Sequence, residues 1–427
     1  MLIYFFYLIL SPILWIIIHF AALFNYKIRK HLKDQKRSWK TAEKIIKETK
    51  RNRDIVVFHA ASSGEFEQIK PILKKMNKNK FFILQTFFSP TIFNKEKNSE
   101  LCDVICYHPF DFPWSVLSFL RKFKPKFYII TRHDIWPNFL HFARKFQTRC
   151  FLINANLHKK STRLKFGFKQ FNKWLFSNFE TIFTGSERLK KNLSKLAENV
   201  SILSIGDSRF DQVIERKNNL KKEYFPKEIS QTKNIIFGSI LKSDFDVIFR
   251  ALKINYPNGD KSLTEKNHRL MFVPHEIDEK TLIKIQSNLK ELKIQSERYS
   301  ESNGKIPKVA IIMDVVGILA DLYKYADLCY VGGGFGAGIH SVIEPAVYGC
   351  VVSFGPNIHI LDEAIEMYEQ KIGTLIRNPN ELSEFLKLID ENLKLKIIQL
   401  NSQKFVYDYQ NVSEKIIENI FKNSSDL

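Results

Sequence analysis

IVVFHAASSGEFEQIKPIL, residues 55–73, changes character at its middle. IVVFH is a run of β-branched and aromatic residues, as expected of a buried strand. Small residues from Ala60 to Gly64 then make a turn, and a helix is expected from about Glu65. A strand that runs straight into a helix is half of a β-α-β unit, and such units build parallel sheets.

The pattern recurs along the chain. Strands are expected at 55–59, 81–86, 103–107, 127–131, 150–154, 181–185 and 201–205. A polar, Lys-rich joint runs from about Glu215 to Lys233, and a second series follows at 234–238, 269–273, 308–313, 327–331 and 350–354. The spacing leaves room for a helix after most strands. The expected fold class is α/β, with two doubly wound Rossmann-like domains facing a cleft. The expected boundaries are a membrane anchor at 1–24, a basic juxtamembrane segment at 25–53, an N-terminal domain at 54–214, a linker at 215–233 and a C-terminal domain with terminal helices at 234–427.

The chain has 427 residues and a net charge of +21, from 66 Lys and Arg against 45 Asp and Glu. Such a charge points to anionic partners and says little about fold. Five cysteines without zinc-like spacing exclude a disulfide scaffold and give metal chemistry no support. The sequence also has no Walker A loop, no H-E-x-x-H and no G-x-S-x-G. No helix-turn-helix, zinc-finger or RNP pattern supports a nucleic-acid partner.

Residues 1–24, MLIYFFYLILSPILWIIIHFAALF, hold no Asp, Glu, Lys or Arg. As a helix they reach ~36 Å, against a bilayer core of ~30 Å. From Lys27 to Arg53 twelve Lys and Arg face three Asp and Glu. That excess puts the flank, and the body after it, on the cytoplasmic face of a membrane. The absence of a basic stretch before the apolar run argues against a cleaved signal peptide. A spanning helix and an anchor lying in one leaflet, where Pro12 interrupts the run, both remain open, beside an ordinary hydrophobic helix buried in the protein.

In doubly wound sheets ligands bind beyond the C-terminal ends of strands. The loop after 55–59 offers Glu65 as a general base, with Ser62, Ser63 and exposed amides for phosphate or sugar oxygens; a carboxylate there also suits a helix start. After 127–131 comes RHDIWPN (132–138), after 150–154 NANLHKKS (154–161) and after 201–205 GDSRFD (206–211). In the second half the strands run into PHEID (274–278), DVVG (314–317) and GGGFGAGIH (332–340) followed by Ser341 and Glu344. Glycines at such a loop let backbone approach a phosphate, and Glu344 suits a ribose hydroxyl. The nominal G-x-G-x-x-A at Gly332 sits in the fourth strand–helix unit of its domain, so a dinucleotide site has little support.

Taken in order, HAASSGEFE (59–67), DIWPN (134–138), NANL (154–157), GDSRFD (206–211), DVVGIL (314–319) and GGGFGAGIHSVIEPA (332–346) resemble the 3-deoxy-D-manno-octulosonic acid (Kdo) transferases of lipid A biosynthesis. The resemblance implies a GT-B type glycosyltransferase with an N-terminal membrane anchor. It implies an inverting, metal-independent transfer from CMP-Kdo to the lipid A precursor, lipid IVA, with no cofactor. Glu65 matches the catalytic base, and Asp134 and Arg209 match an acidic and a basic position near the reaction centre. Pro274 and His275, Val316, Gly317 and Ile318, and Ser341, Val342, Ile343 and Glu344 match the segments that contact CMP. The sequence departs from the family at Arg132, where a carboxylate is usual, at His275, where an arginine is expected, and at Ile318, where a glutamate is usual. These changes resemble a divergent branch. Two other readings fit the same charge and anchor: a GT-B enzyme that uses a UDP-sugar, and a tethered polyanion-binding protein without catalysis.

Overall fold

The computed structural model describes residues 2–302, 305 and 309–422. The chain divides into two compact units, one formed by residues 1–212 with 411–427, the other by Val213–Gln410. The boundary falls inside the helix Arg209–Asn218.

The first unit is built on seven parallel strands: β1 (Asp54–Ala60), β2 (Phe81–Phe87), β3 (Val104–Tyr107), β4 (Phe127–Thr131), β5 (Arg149–Ala155), β6 (Thr181–Thr184) and β7 (Ser201–Ser204). Their order is β3-β2-β1-β4-β5-β6-β7. Alternate residues of β1 enter different cores. Ile55 and Val57 pack with Trp39, Phe119 and Leu140 on one face. Val56 and Phe58 pack with Phe66, Ile69 and Ile72 on the other. A strand buried on both faces reads as an unbroken apolar run, which is why this series was visible in the sequence.

The second unit has its own seven parallel strands: β8 (Lys233–Ile240), β9 (His268–Pro274), β10 (Ser296–Arg298), β11 (Ala310–Ile312), β12 (Leu328–Val331), β13 (Val351–Phe354) and β14 (Gly373–Leu375). Their order is β10-β11-β9-β8-β12-β13-β14. All twelve expected strands are present, although the expected start of β11 at Lys308 lies outside the described residues. β10 and β14 were not expected. Each is three residues long at a sheet edge, and SER and GTL carry no apolar run.

Two segments sit differently from their expected assignment. The basic stretch after the apolar run forms helix α2 (Tyr26–Thr49), following helix α1 (Leu2–Phe24), and α2 is part of the first unit. Asn25 separates the two helices and caps α2, its Oδ1 accepting from the amides of Lys27 and Ile28. α2 lies on the β3 edge: the Trp39 indole donates to Tyr107 O at 2.8 Å, and His31 sits 2.8 and 2.9 Å from the carbonyls of Phe88 and His108. The terminal helix Val412–Phe421, expected with the second domain, packs in the first unit. Val412, Ile416 and Ile420 form its apolar stripe, and Phe421 meets Phe81 and Phe127. Periodicity reveals such a stripe but not the sheet that it covers.

One buried carboxylate holds the start of the helix Pro137–Lys145. Asp111, 5% exposed, accepts from the amides of Asn138 and Phe139, both at 2.9 Å. Asp111→Ala leaves both amides unpaired in the interior, so the first unit should lose about 2–4 kcal/mol. Chemical denaturation of the full chain, followed at a first-unit tryptophan, checks this; an unshifted midpoint would mean that water replaces the carboxylate.

Candidate functional site

In the first sheet β1 and β4 are neighbours although they are not consecutive, so the connections leave them toward opposite faces. This is the switch point of a doubly wound sheet, where a crevice forms beyond the strand ends. Glu65 follows β1, and Asp134 follows β4. In the second sheet the equivalent point lies between β8 and β12, and the glycine loop follows β12.

Glu65 lies in the first turn of helix α3 (Ser63–Lys75). Its Oε2 accepts from the amide of Ala61 at 2.7 Å and that of Ser62 at 3.3 Å, while Ser62 Oγ accepts from the Glu65 amide at 3.3 Å. This is a capping box, so Glu65 fulfils the structural role that its position suggests. Its carboxyl is nevertheless held above the usual carboxylate range. Burial is the largest cause and the Asp134 charge the next, and together they outweigh the two amide bonds and His59.

Asp134 is positioned by a residue for which no role was expected. His59, fully buried at the end of β1, places Nε2 2.5 Å from Asp134 Oδ2. Its Nδ1 lies 2.9 Å from Thr86 Oγ1 and 3.2 Å from Thr86 O, and the Thr86 hydroxyl itself donates to Phe58 O. Both ring nitrogens therefore face oxygen atoms, which fix the orientation of the ring. Burial works against the Asp134 charge, but His59 and Arg163 outweigh it and hold the carboxyl below its ordinary value. The ring of His108 lies 3.9 Å from that of His59, and burial pushes its pKa far down. His59 was visible as the first letter of HAASSGE, but a histidine inside a strand resembles any core residue.

Arg209 pairs with Asp207, which also faces Arg132. Its Nε lies 3.1 Å from Asp207 Oδ1, and Asp207 Oδ2 lies 3.6 Å from Arg132. Burial opposes the Asp207 charge, yet the two guanidinium groups keep its carboxyl below the usual range. Arg132 has φ +59 and donates from Nε to Gln68 Oε1 at 2.9 Å. Asn154, at the end of β5, donates to Ser208 Oγ and accepts from the Ser208 amide; Ser208 Oγ donates to Gln68 O at 2.6 Å. Loops from β1, β4, β5 and β7 thus form one hydrogen-bonded layer.

The donor-binding candidates all lie in the second unit. Pro274 ends β9, and the ring of His275 stacks on that of His340, 4.5 Å between centroids and 23° between planes. His340 Nε2 is buried without a hydrogen-bond partner among the described residues, an atom suited to a ligand. The glycine loop needs its glycines: a Cβ on Gly332 would lie 2.4 Å from Ser239 O, and one on Gly334 2.5 Å from Gly355 Cα. Asp244 holds the loop, accepting from the amide of Gly333 at 2.9 Å and the Tyr330 hydroxyl at 3.0 Å. Ser341 and Val342 precede a helix of only four residues, Ile343–Ala346, so the dipole expected there is that of a single turn. Glu344 lies within it.

Val316 is 73% exposed, and Gly317 has φ +81 in open space. Arg216, which the sequence reading did not single out, donates to Gly317 O at 3.3 Å and pairs with Asp321 at 2.7 Å. Burial opposes its charge, but Asp321 and, more weakly, Glu344 outweigh that and raise its pKa. Arg216 thus brings the Val316–Ile318 turn into one group with Glu344. Isolated in a polar helix, it gave no sign of this.

A family model described as 3-deoxy-D-manno-octulosonic-acid transferase (kdotransferase) matches residues 35–212. A 3-deoxy-D-manno-octulosonic acid transferase of Aquifex aeolicus is 26% identical over 343 residues, 79% of this chain and 87% of that one. One from Rickettsia bellii is 25% identical over 436 residues, 98% of each chain. A bifunctional glycosyltransferase/methyltransferase of Fusobacterium nucleatum is 26% identical over 373 residues, 82% of this chain; the match spans 55% of that relative's length. Among solved structures, a glycosyltransferase from Rickettsia africae aligns with TM-score 0.60 and 14% identity, over 87% of this chain and 100% of that one. A UDP-GlcNAc 2-epimerase from Neisseria meningitidis, bound to UDP-GlcNAc, aligns with TM-score 0.61 and 14% identity over the same shares. These structures bear out the expected GT-B type of fold and carry no more than that. The resemblance drawn from the ordered motifs is itself borne out: this chain is similar to the Kdo transferases, by the family model over most of the first unit and by its relatives over most of its length.

Proposed function

We propose that this protein transfers Kdo from CMP-Kdo to a lipid A precursor, lipid IVA, at the cytoplasmic face of the inner membrane. The observation that carries the reading is Glu65 at the β1–β4 switch point. Its carboxyl is raised by burial and by Asp134, yet held at one oxygen by two backbone amides. A carboxylate of raised pKa is a stronger base for an acceptor hydroxyl. Oε2 takes both amide bonds, so Oε1 would receive the proton. Inversion follows if this single base activates the acceptor for direct attack on the anomeric carbon, with the bond to the CMP phosphate breaking as the new bond forms.

Arg209, set by Asp207, would supply positive charge for the carboxylate of Kdo or for the leaving phosphate. In the second unit, Pro274 and His275, Val316 to Ile318 and Ser341 to Glu344 would hold the nucleotide. The glycine loop amides and His340 Nε2 would meet its polar atoms, and Glu344 its ribose. α1, α2 and the net positive charge would keep the chain at an anionic membrane. The solved relatives of this fold include a UDP-sugar enzyme, so UDP-sugars are the donor controls.

The test incubates membranes carrying the full chain with CMP-Kdo and tetra-acylated, bisphosphorylated lipid A precursor, and reads the lipid by mass spectrometry. Addition of Kdo, with none from UDP-sugars, is the expected result; no addition from CMP-Kdo would refute the donor. Glu65→Gln retains an oxygen for the capping box but not the base. It should reduce turnover by about 100-fold or more, with an unchanged melting temperature. Near-native turnover would remove Glu65 from the role.

The proposed base acts only when deprotonated. The kcat/KM profile should therefore rise along an acidic limb placed above the ordinary carboxylate range. Asp134→Asn removes a charge that raises the Glu65 pKa, so the limb should move to lower pH. A limb that stays in place would show that another group governs it.

A further inference from the structure

α1 carries its polarity the wrong way round for a helix of a soluble core. The residues at least partly covered by protein are Tyr4, Tyr7, Leu8, Ser11, Leu14, Ile18, Ala21 and Ala22, one face of the helix along almost its whole length. The stripe includes all three hydroxyl groups of α1, and both tyrosines use theirs on the first unit: Tyr4 donates to Asn138 Oδ1 and Tyr7 to Asp111 Oδ2, each at 3.0 Å. Tyr4 also packs on Trp174, 4.3 Å between ring centroids. Phe5, Ile9, Ile13, Ile16, Phe20 and Leu23 point away, each at least half exposed. A perpendicular spanning helix would leave the body after a few residues. This one keeps a covered stripe from Tyr4 to Ala22, and α2 then returns to the same unit through His31.

The surface beside α1 continues its chemistry. Three residues beyond Asp111, Trp114 is 46% exposed. The helix that carries Trp174 begins at Phe166, which is fully exposed, with Phe168 53% exposed behind it. Exposed Lys159, Lys160, Lys165 and Lys169 flank these two rings. Aromatic rings and lysines around an apolar helix face match an interface of acyl chains and anionic headgroups.

We propose that α1 lies in the plane of an anionic phospholipid membrane, entered from one side only. Trp114, Phe166 and Phe168 enter the same leaflet, and the N-terminus stays on the side of the body. The inference rests on the membrane partner of the proposed function and settles how the chain meets it. A second copy of the chain is the rival occupant of the apolar face. The lysines disfavour it, since two such surfaces would set like charges against each other.

All five native cysteines are buried, so introduced ones can be labelled selectively. A cysteine inserted ahead of Leu2 and a control at the exposed Asn219 (Asn219→Cys) are treated with a membrane-impermeant maleimide in right-side-out and inverted membrane vesicles. Both should react in inverted vesicles only. Reaction of the N-terminal cysteine in right-side-out vesicles alone would mean that α1 spans, and would overturn the proposal. The second measurement is co-flotation with phosphatidylglycerol-containing vesicles. The Phe166→Ser, Phe168→Ser double variant should bind about tenfold more weakly or worse, with an unchanged melting temperature. Unchanged binding would also overturn it. A full chain that never floats, and forms dimers instead, would reject the membrane surface, while the mass-spectrometric assay judges Kdo transfer separately.

Discussion

The hydrogen bond between His59 Nε2 and Asp134 Oδ2 ties the end of β1 to the loop after β4 at the switch point of the first sheet. An ionised carboxylate that is mostly enclosed by protein is costly unless a hydrogen-bond partner compensates it. His59 supplies that partner from inside β1, and Thr86 on the neighbouring strand fixes the ring from the other side. With Asp134 kept charged, Glu65 has a negative neighbour and a raised pKa. The same logic repeats at Asp207, whose carboxyl is held below the usual range by Arg209 and Arg132. Within each set the charges are fixed by their neighbours rather than by one residue at the end of a strand.

The fold was legible because parallel strands buried on both faces leave uninterrupted apolar runs. IVVFH, FFILQT and FYIIT carry that signal without help from tertiary context. β10 and β14 were illegible for the opposite reason: edge strands of three residues need no such run. The switch point explains why the loops after strands repaid attention. It also separates Glu65 and Asp134, which follow strands at the crevice, from Arg209, whose place depends on Asp207 and Arg132. Hydrogen bonds that span long sequence distances, such as Asn154 to Ser208 and Arg132 to Gln68, leave no periodic trace. The sequence named most members of the layer but could not say which of them touch.

The departures from the family pattern acquire physical content in this setting. Arg132 stands where a carboxylate is usual, and it is integrated rather than tolerated: Gln68 accepts from its Nε and Asp207 lies opposite its guanidinium. A carboxylate there would face Asp207, and two like charges buried together raise each other's pKa. His275, in place of an arginine, gains a stacking partner in His340 and so ties the end of β9 to the end of the glycine loop. Ile318 follows a glycine turn held by Arg216, so the backbone of that turn is fixed although the side chain is apolar.

Hydropathy describes how apolar a segment is, not which way it faces. By composition α1 is long and apolar enough to cross a bilayer. Its hydroxyl groups change the argument. A polar atom in hydrocarbon must find a partner, and a spanning helix of one segment can offer only its own backbone. Ser11 does this, donating to Tyr7 O, but Tyr4 and Tyr7 reach across to a carboxylate and an amide at the start of the helix Pro137–Lys145. Asp111 is therefore shared: its carboxylate binds the amides that open that helix and the hydroxyl that seats α1. The contact that orders the edge of the first unit is also the contact that turns the apolar face outward, so the helix is oriented by the fold before any lipid is present.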